Sequence, residues 1–147
     1  MIYAFLSRVS GRKGTAHMST VAAPRIGFLG AGKMATALAR AWLTAGLLQL
    51  DQVHASDPIA GARQAFHTET GVPATTDNRA VVAGSDLLLL AVKPQSMAAL
   101  LQEIKPSVTP RQLLVSIAAG VTLRQLREIL GPDRRLVRVM PNTPCLV

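Results

Sequence analysis

One cysteine, Cys145, occurs in 147 residues, which excludes an internal disulfide and fits a reducing compartment. Its PNTPC setting reads as a packed or loop thiol rather than a nucleophile. Aromatic residues are nearly as scarce, at 3% of a chain that is 49% hydrophobic. The core must therefore be built from Val, Leu, Ile and Ala, as in a parallel sheet buried on both faces. No apolar run approaches the roughly 18 residues of a membrane span. The longest, Leu87 to Val92, has the length of a buried strand. Acidic residues are also few, 8 against 16 Lys and Arg, giving a net charge of +8. That balance invites a nucleic-acid reading. However, the basic residues are scattered, Arg8, Arg12 and Lys13 all precede Met18, and few rings are available to stack on bases. An anionic cofactor accounts for the bias equally well. His17, His54 and His67 have no metal-like spacing with one another or with Cys145, so no metal site is expected. No nucleic-acid partner, no membrane and a cytoplasmic location are expected.

What is present begins at Arg25. The apolar strand Ile26 to Leu29 runs into Gly30-Ala-Gly32-Lys-Met-Ala35, a G-x-G-x-x-A turn. Gly30 permits the tight turn, Gly32 lets a backbone approach a pyrophosphate, and Ala35 brings the next helix close to the strand. The helix is predicted to bury Met34, Leu38, Ala41, Trp42 and Ala45, and its free N–H groups and dipole suit phosphates. Lys33 in its first turn either faces an anion or is a solvated surface lysine.

From there strands and helices alternate. Strands are predicted at Val53–Ser56, Val72–Thr75, Leu87–Val92, Leu113–Ile117 and Leu136–Val139. Helices are expected from Pro58 towards Gly71, from Asp77 to Ala83, around Met97–Ile104, and from the capping box Thr122-Leu-Arg-Gln125 to Leu130. This pattern implies one doubly wound α/β domain of Rossmann type over residues 25–147, with residues 1–24 a disordered extension and Met18 a candidate start. Ligands in such sheets bind beyond the carboxyl ends of the strands. The loops Gly30–Met34, Ser56–Pro58, Thr76–Asn78, Lys93–Gln95 and Ala118–Gly120 should then line one crevice.

Asp57 either accepts hydrogen bonds from an adenosine ribose or caps the following helix; the two roles are compatible. Arg63 reads first as a solvated arginine, and second as a contact for a 2′-phosphate. Lys93-Pro94 must leave the sheet sharply, holding the lysine at the crevice mouth. Ala118-Ala-Gly120 either leaves room for a flat ring or simply makes a tight connection. Met140-Pro-Asn-Thr-Pro144 brackets Asn142 and Thr143 between prolines, as a pocket wall or as a domain-exit turn.

Five segments in this order resemble the pyrroline-5-carboxylate reductase family: Ile26 to Ala35, Ala55-Ser-Asp-Pro58, Ala91-Val-Lys-Pro94, Val115 to Val121, and Arg138 to Pro144. The resemblance implies the NADP-binding domain of an enzyme that reduces the ring imine of 1-pyrroline-5-carboxylate to L-proline. It implies that Gly30, Ala31, Gly32, Lys33 and Met34 meet the pyrophosphate turn and that Asp57 meets the adenosine ribose. Asn78, Ala91, Val92, Lys93, Pro94, Ala119 and Gly120 would line the cofactor, and Asn142 the nicotinamide end. No catalytic residue is expected in this half, where orientation does most of the work. Two departures from the family stand out. The family usually has a small or polar residue at Asp57, so an acid there makes NAD(H) a contender beside NADP(H). The helical C-terminal domain that builds the family's dimer and substrate pocket has no counterpart here. A fragment, a truncated product or half of a split enzyme is expected, forming a homo-oligomer only where the other half is supplied. Alternatives are an F420-dependent NADP reductase, a β-hydroxyacid dehydrogenase, or a non-catalytic nucleotide-binding module.

Overall fold

Four consecutive apolar residues, all buried, make Ile26–Leu29 a central strand rather than an edge. A computed structural model describes residues 23–140 and sets this strand, β1, within six parallel strands. In chain order the elements are α1 (Lys33–Thr44), β2 (Val53–Ser56), α2 (Ala60–Thr70), β3 (Ala74–Thr75), α3 (Asn78–Ala83), β4 (Leu87–Leu90), α4 (Pro94–Ile104), β5 (Leu113–Ser116), α5 (Leu123–Leu130) and β6 (Arg135–Arg138). The sheet order is β3-β2-β1-β4-β5-β6, with every neighbouring pair parallel. The doubly wound α/β fold expected from the alternation is present.

Helices cover both faces of the sheet. On one, Phe28, Val53, Ala55, Leu89 and Val115 pack with Ala35 and Ala39 of α1 and Phe66 of α2. Phe28 sits 5.8 Å from the Phe66 ring and 5.9 Å from Trp42, centroid to centroid. On the other, Leu29, Leu88, Leu90 and Leu114 meet Met97, Leu101 and Ile104 of α4 and Leu126 of α5. No helix among the described residues is long and apolar enough to cross a membrane.

Several boundaries differ from expectation, each for a physical reason. The buried stripe of α1 is Ala35, Thr36 and Ala39, with Leu38, Trp42 and Leu43 partly covered, whereas Ala41 and Ala45 face solvent. Small residues win the inner face because the glycine turn delivers the helix close to the sheet. Helix α2 begins at Ala60 with Ile59 as its cap residue, so Pro58 belongs to the preceding turn and not to the helix. β3 pairs only through Ala74 and Thr75, because Pro73 lacks the N–H that a longer ladder needs. The helix placed around Met97 opens earlier, with Pro94 in its first turn. β4 stops at Leu90, since the chain turns out towards Lys93 and Pro94. The expected caps Asp77 and Thr122 are both present; Asp77 accepts from the Arg79 and Ala80 amides, and Thr122 and Gln125 form the reciprocal box.

A clasp ties the entry of β1 to that of β4. Asp86 accepts hydrogen bonds from the Arg25 amide at 2.9 Å and from its guanidinium at 3.2 and 3.3 Å. The Arg25 side chain, and then its backbone amide, hold the Asp86 carboxyl below the usual carboxylate range. A depressed folded-state pKa stabilises the protein above the unfolded value and loses that contribution as pH falls through the folded one. Both side chains are about half exposed, at 51 and 52%, so the effect is small and screened by salt. Asp86→Asn should flatten the acid limb of a stability–pH curve relative to the unmodified chain. Superimposable acid limbs in the two proteins would mean the clasp adds nothing.

Candidate dinucleotide site

The strand order turns back between β1 and β4, and the carboxyl ends of both strands open at that point. The Gly30 amide donates to the Ser56 carbonyl at 2.8 Å, and the Ala91 amide to Leu29 at 2.8 Å. Gly30 has φ +100°, and a Cβ there would stand 2.7 Å from the Ala91 carbonyl oxygen. Conformation and contact both demand glycine. Gly32 is a different case. Its φ is −74°, and among the described residues a Cβ would meet no atom within 4 Å. Nothing among the described residues requires glycine at 32, whereas the close approach of a ligand to the backbone would.

Gly32 caps α1 without any side-chain hydrogen bond, and no acidic residue occupies the first turn. The amides opening that helix therefore keep their charge for an anion. Thr36 braces the turn from below by donating to the Gly32 carbonyl at 3.0 Å. Lys33 lies exposed and Met34 half-buried at its mouth.

Asp57 leaves β2 towards this turn. One carboxylate oxygen accepts the Ala31 amide at 2.9 Å and the other accepts the Ile59 amide at 2.8 Å. It is not the N-cap of α2, which starts three residues later; its bond to Ile59 is a local turn of the Asx kind. The Ala31 amide, at a position expected to meet the pyrophosphate, is engaged by Asp57 instead. Arg63 is not free in solvent. Its Nη1 donates to the carbonyls of Asp57 at 2.8 Å and Pro58 at 3.0 Å.

Asn78 opens α3 and accepts from the hydroxyl of the fully buried Ser56 at 2.7 Å, while its amide donates to Glu103 at 2.9 Å. Ala91 and Val92 are half-buried, and Lys93 and Pro94 exposed, at the exit from β4. At the end of β5, Ser116 is fully buried, and beyond it Ala119 and Gly120 are exposed, Gly120 with φ +73°. Direct bonds thus join the turns after β1 and β2 with the first turn of α3, and the turns after β4 and β5 stand at the same edge of the parallel sheet. Asn142 and Cys145 lie outside the described residues. Ser56 falls in a loop expected to line the crevice, whereas Thr36 is outside every expected site segment. The signal for Thr36 was a hydroxyl on the otherwise small, apolar inner face of α1.

Residues 25–120 match the family described as "NADP oxidoreductase coenzyme F420-dependent". The chain belongs to it. Within that family, the likeness to pyrroline-5-carboxylate reductases is borne out. Those of Methanosarcina acetivorans and Pseudomonas aeruginosa are 40% and 43% identical over 123 and 124 residues, 84% of this chain in each case. The chain spans under half of their length, 46% and 45%. Among solved structures, the Coxiella burnetii pyrroline-5-carboxylate reductase superimposes with TM-score 0.75 at 33% identity, over 84% of this chain and 46% of that one. The Plasmodium falciparum enzyme, solved with NADP bound, gives 0.72 at 30%, over 83% and 44%.

Proposed function

We propose that residues 25–147 are the NADP(H)-binding half of a pyrroline-5-carboxylate reductase, serving reduction of the cyclic imine to L-proline. The observation that carries this reading is the open cradle at Gly32, with an uncapped helix behind it. The residues fit the cofactor. The amides of Lys33 and Met34 and the positive end of α1 would hold the pyrophosphate, with the Lys33 ammonium adding charge. Asp57 would meet the adenosine ribose. Asn78, Ala91, Val92, Lys93, Pro94, Ala119 and Gly120 would wall the groove towards the nicotinamide, and Asn142 would bound that end. NADPH supplies the hydride. The chain's own contribution is to fix the dinucleotide at the strand ends so that its reactive ring meets the imine in a single orientation. The substrate pocket and any homo-oligomer interface would come from the part of the relatives that this chain does not match. A cytoplasmic location and the absence of a nucleic-acid or membrane partner belong to the same proposal.

Calorimetric titration with NADPH should give saturable binding. NADPH oxidation should appear with 1-pyrroline-5-carboxylate once the C-terminal half of a relative is added, and not with 3-oxo acids or oxidised F420. Turnover confined to those other substrates would refute the substrate assignment. No heat with either nicotinamide dinucleotide would refute the site itself.

A further inference from the structure

We infer that Arg63 is the residue that reads the 2′-phosphate of NADP(H), and that Asp57 is held in a position that permits it; this rests on the cofactor reading above. An acid after β2 normally accepts the ribose hydroxyls of NAD and repels a 2′-phosphate. Here each carboxylate oxygen of Asp57 already accepts a backbone amide, from Ala31 at 2.9 Å and from Ile59 at 2.8 Å. Those bonds fix its orientation and offset part of its charge.

Arg63 lies one turn into α2 and folds back over the same loop. Both protons of Nη1 are spent on the carbonyls of Asp57 and Pro58. Among the described residues, Nε and Nη2 have no protein acceptor. These two nitrogens form the side-on edge of the guanidinium, the edge that takes two oxygens of a phosphate at once. The carbonyls therefore hold the plane in place and leave its phosphate-binding edge open. A phosphate monoester carries nearly two negative charges at neutral pH, and beside Asp57 it needs a fixed cation. Arg63 is the cation bonded to this loop.

The test uses 2′,5′-ADP and 5′-AMP, which differ only in the 2′-phosphate, titrated calorimetrically into the whole chain. The unmodified protein should favour 2′,5′-ADP by at least about tenfold, or about 1.4 kcal/mol. Arg63→Gln, whose side-chain amide can still donate to a loop carbonyl, should erase that preference while leaving 5′-AMP affinity within about twofold. Arg63→Lys, a point charge without the fork, should fall between. Equal weakening of both ligands in Arg63→Gln would make the arginine a brace for the loop and overturn the inference. So would an unmodified protein that binds 5′-AMP as tightly as 2′,5′-ADP, although the dinucleotide site would then survive. Failure to bind NADPH, NADH or either probe overturns the cofactor reading and this inference together.

Discussion

Gly32→Asp should leave the fold as stable as before, or slightly more so, and should abolish dinucleotide binding. Gly32 precedes α1 with extended backbone, φ −74° and ψ 179°, which any residue adopts. An added Cβ meets no atom of the described residues within 4 Å. Aspartate is among the best N-cap residues, since its carboxylate accepts the second or third helical amide and suits the positive end of the helix. Those are also the amides, and that is the charge, that a pyrophosphate would use. The variant replaces the ligand with a tethered anion and adds like-charge repulsion. NADPH affinity should fall by at least about 100-fold, near 2.7 kcal/mol, with the thermal midpoint unchanged or raised. Calorimetric titration alongside a thermal melt decides it. Unchanged affinity would mean that the phosphates rest elsewhere.

Gly30→Ala should do the reverse, damaging the fold before it reaches the ligand. At φ +100° an L side chain is strained, and a left-handed residue costs about 1–2 kcal/mol. The new Cβ would also lie 2.7 Å from the carbonyl oxygen of Ala91 and 3.1 Å from the amide of Val92. Both are backbone atoms of the strand exit, so neither can swing aside, and overpacking of this kind costs about 1–3 kcal/mol. A combined loss of roughly 2–5 kcal/mol removes much of the stability of an ordinary domain. Urea unfolding should show a lower midpoint with the slope preserved. A shift below about 0.5 kcal/mol would contradict the close approach of the two turns. Two glycines two residues apart thus separate folding from binding.

The order and kind of the elements were legible from Arg25 onwards because each strand is a short apolar run closed by a turn residue. Ile26–Leu29 and Leu87–Leu90 could hardly be anything else. The caps at Asp77 and Thr122 were legible for the same local reason. Errors fell where a long-range contact decides. Ala41 and Ala45 look like part of an apolar stripe, but how deeply α1 sits depends on the turn after β1 meeting the turn after β4. Asp57 carries a cap signature, yet an amide 26 residues earlier in the chain claims one of its oxygens. Arg63 looks like any surface arginine until the carbonyls that it holds are in place. The glycine turn itself could be read because its requirement is intrinsic to the backbone.

The two sides of the sheet are chemically unequal, and this has an experimental consequence. Phe28, Trp42 and Phe66 all belong to the layer beneath α1 and α2, while among the described residues the opposite layer is purely aliphatic and thioether. Trp42 is the only tryptophan in the chain. Its emission is therefore a one-sided probe that follows the loosening of the layer behind the glycine turn, whereas far-ultraviolet ellipticity weighs every helix. Because β1 and β4 supply side chains to both layers, the two signals should melt together as one cooperative unit. An emission change that precedes the loss of ellipticity would reveal that the aromatic layer can open by itself.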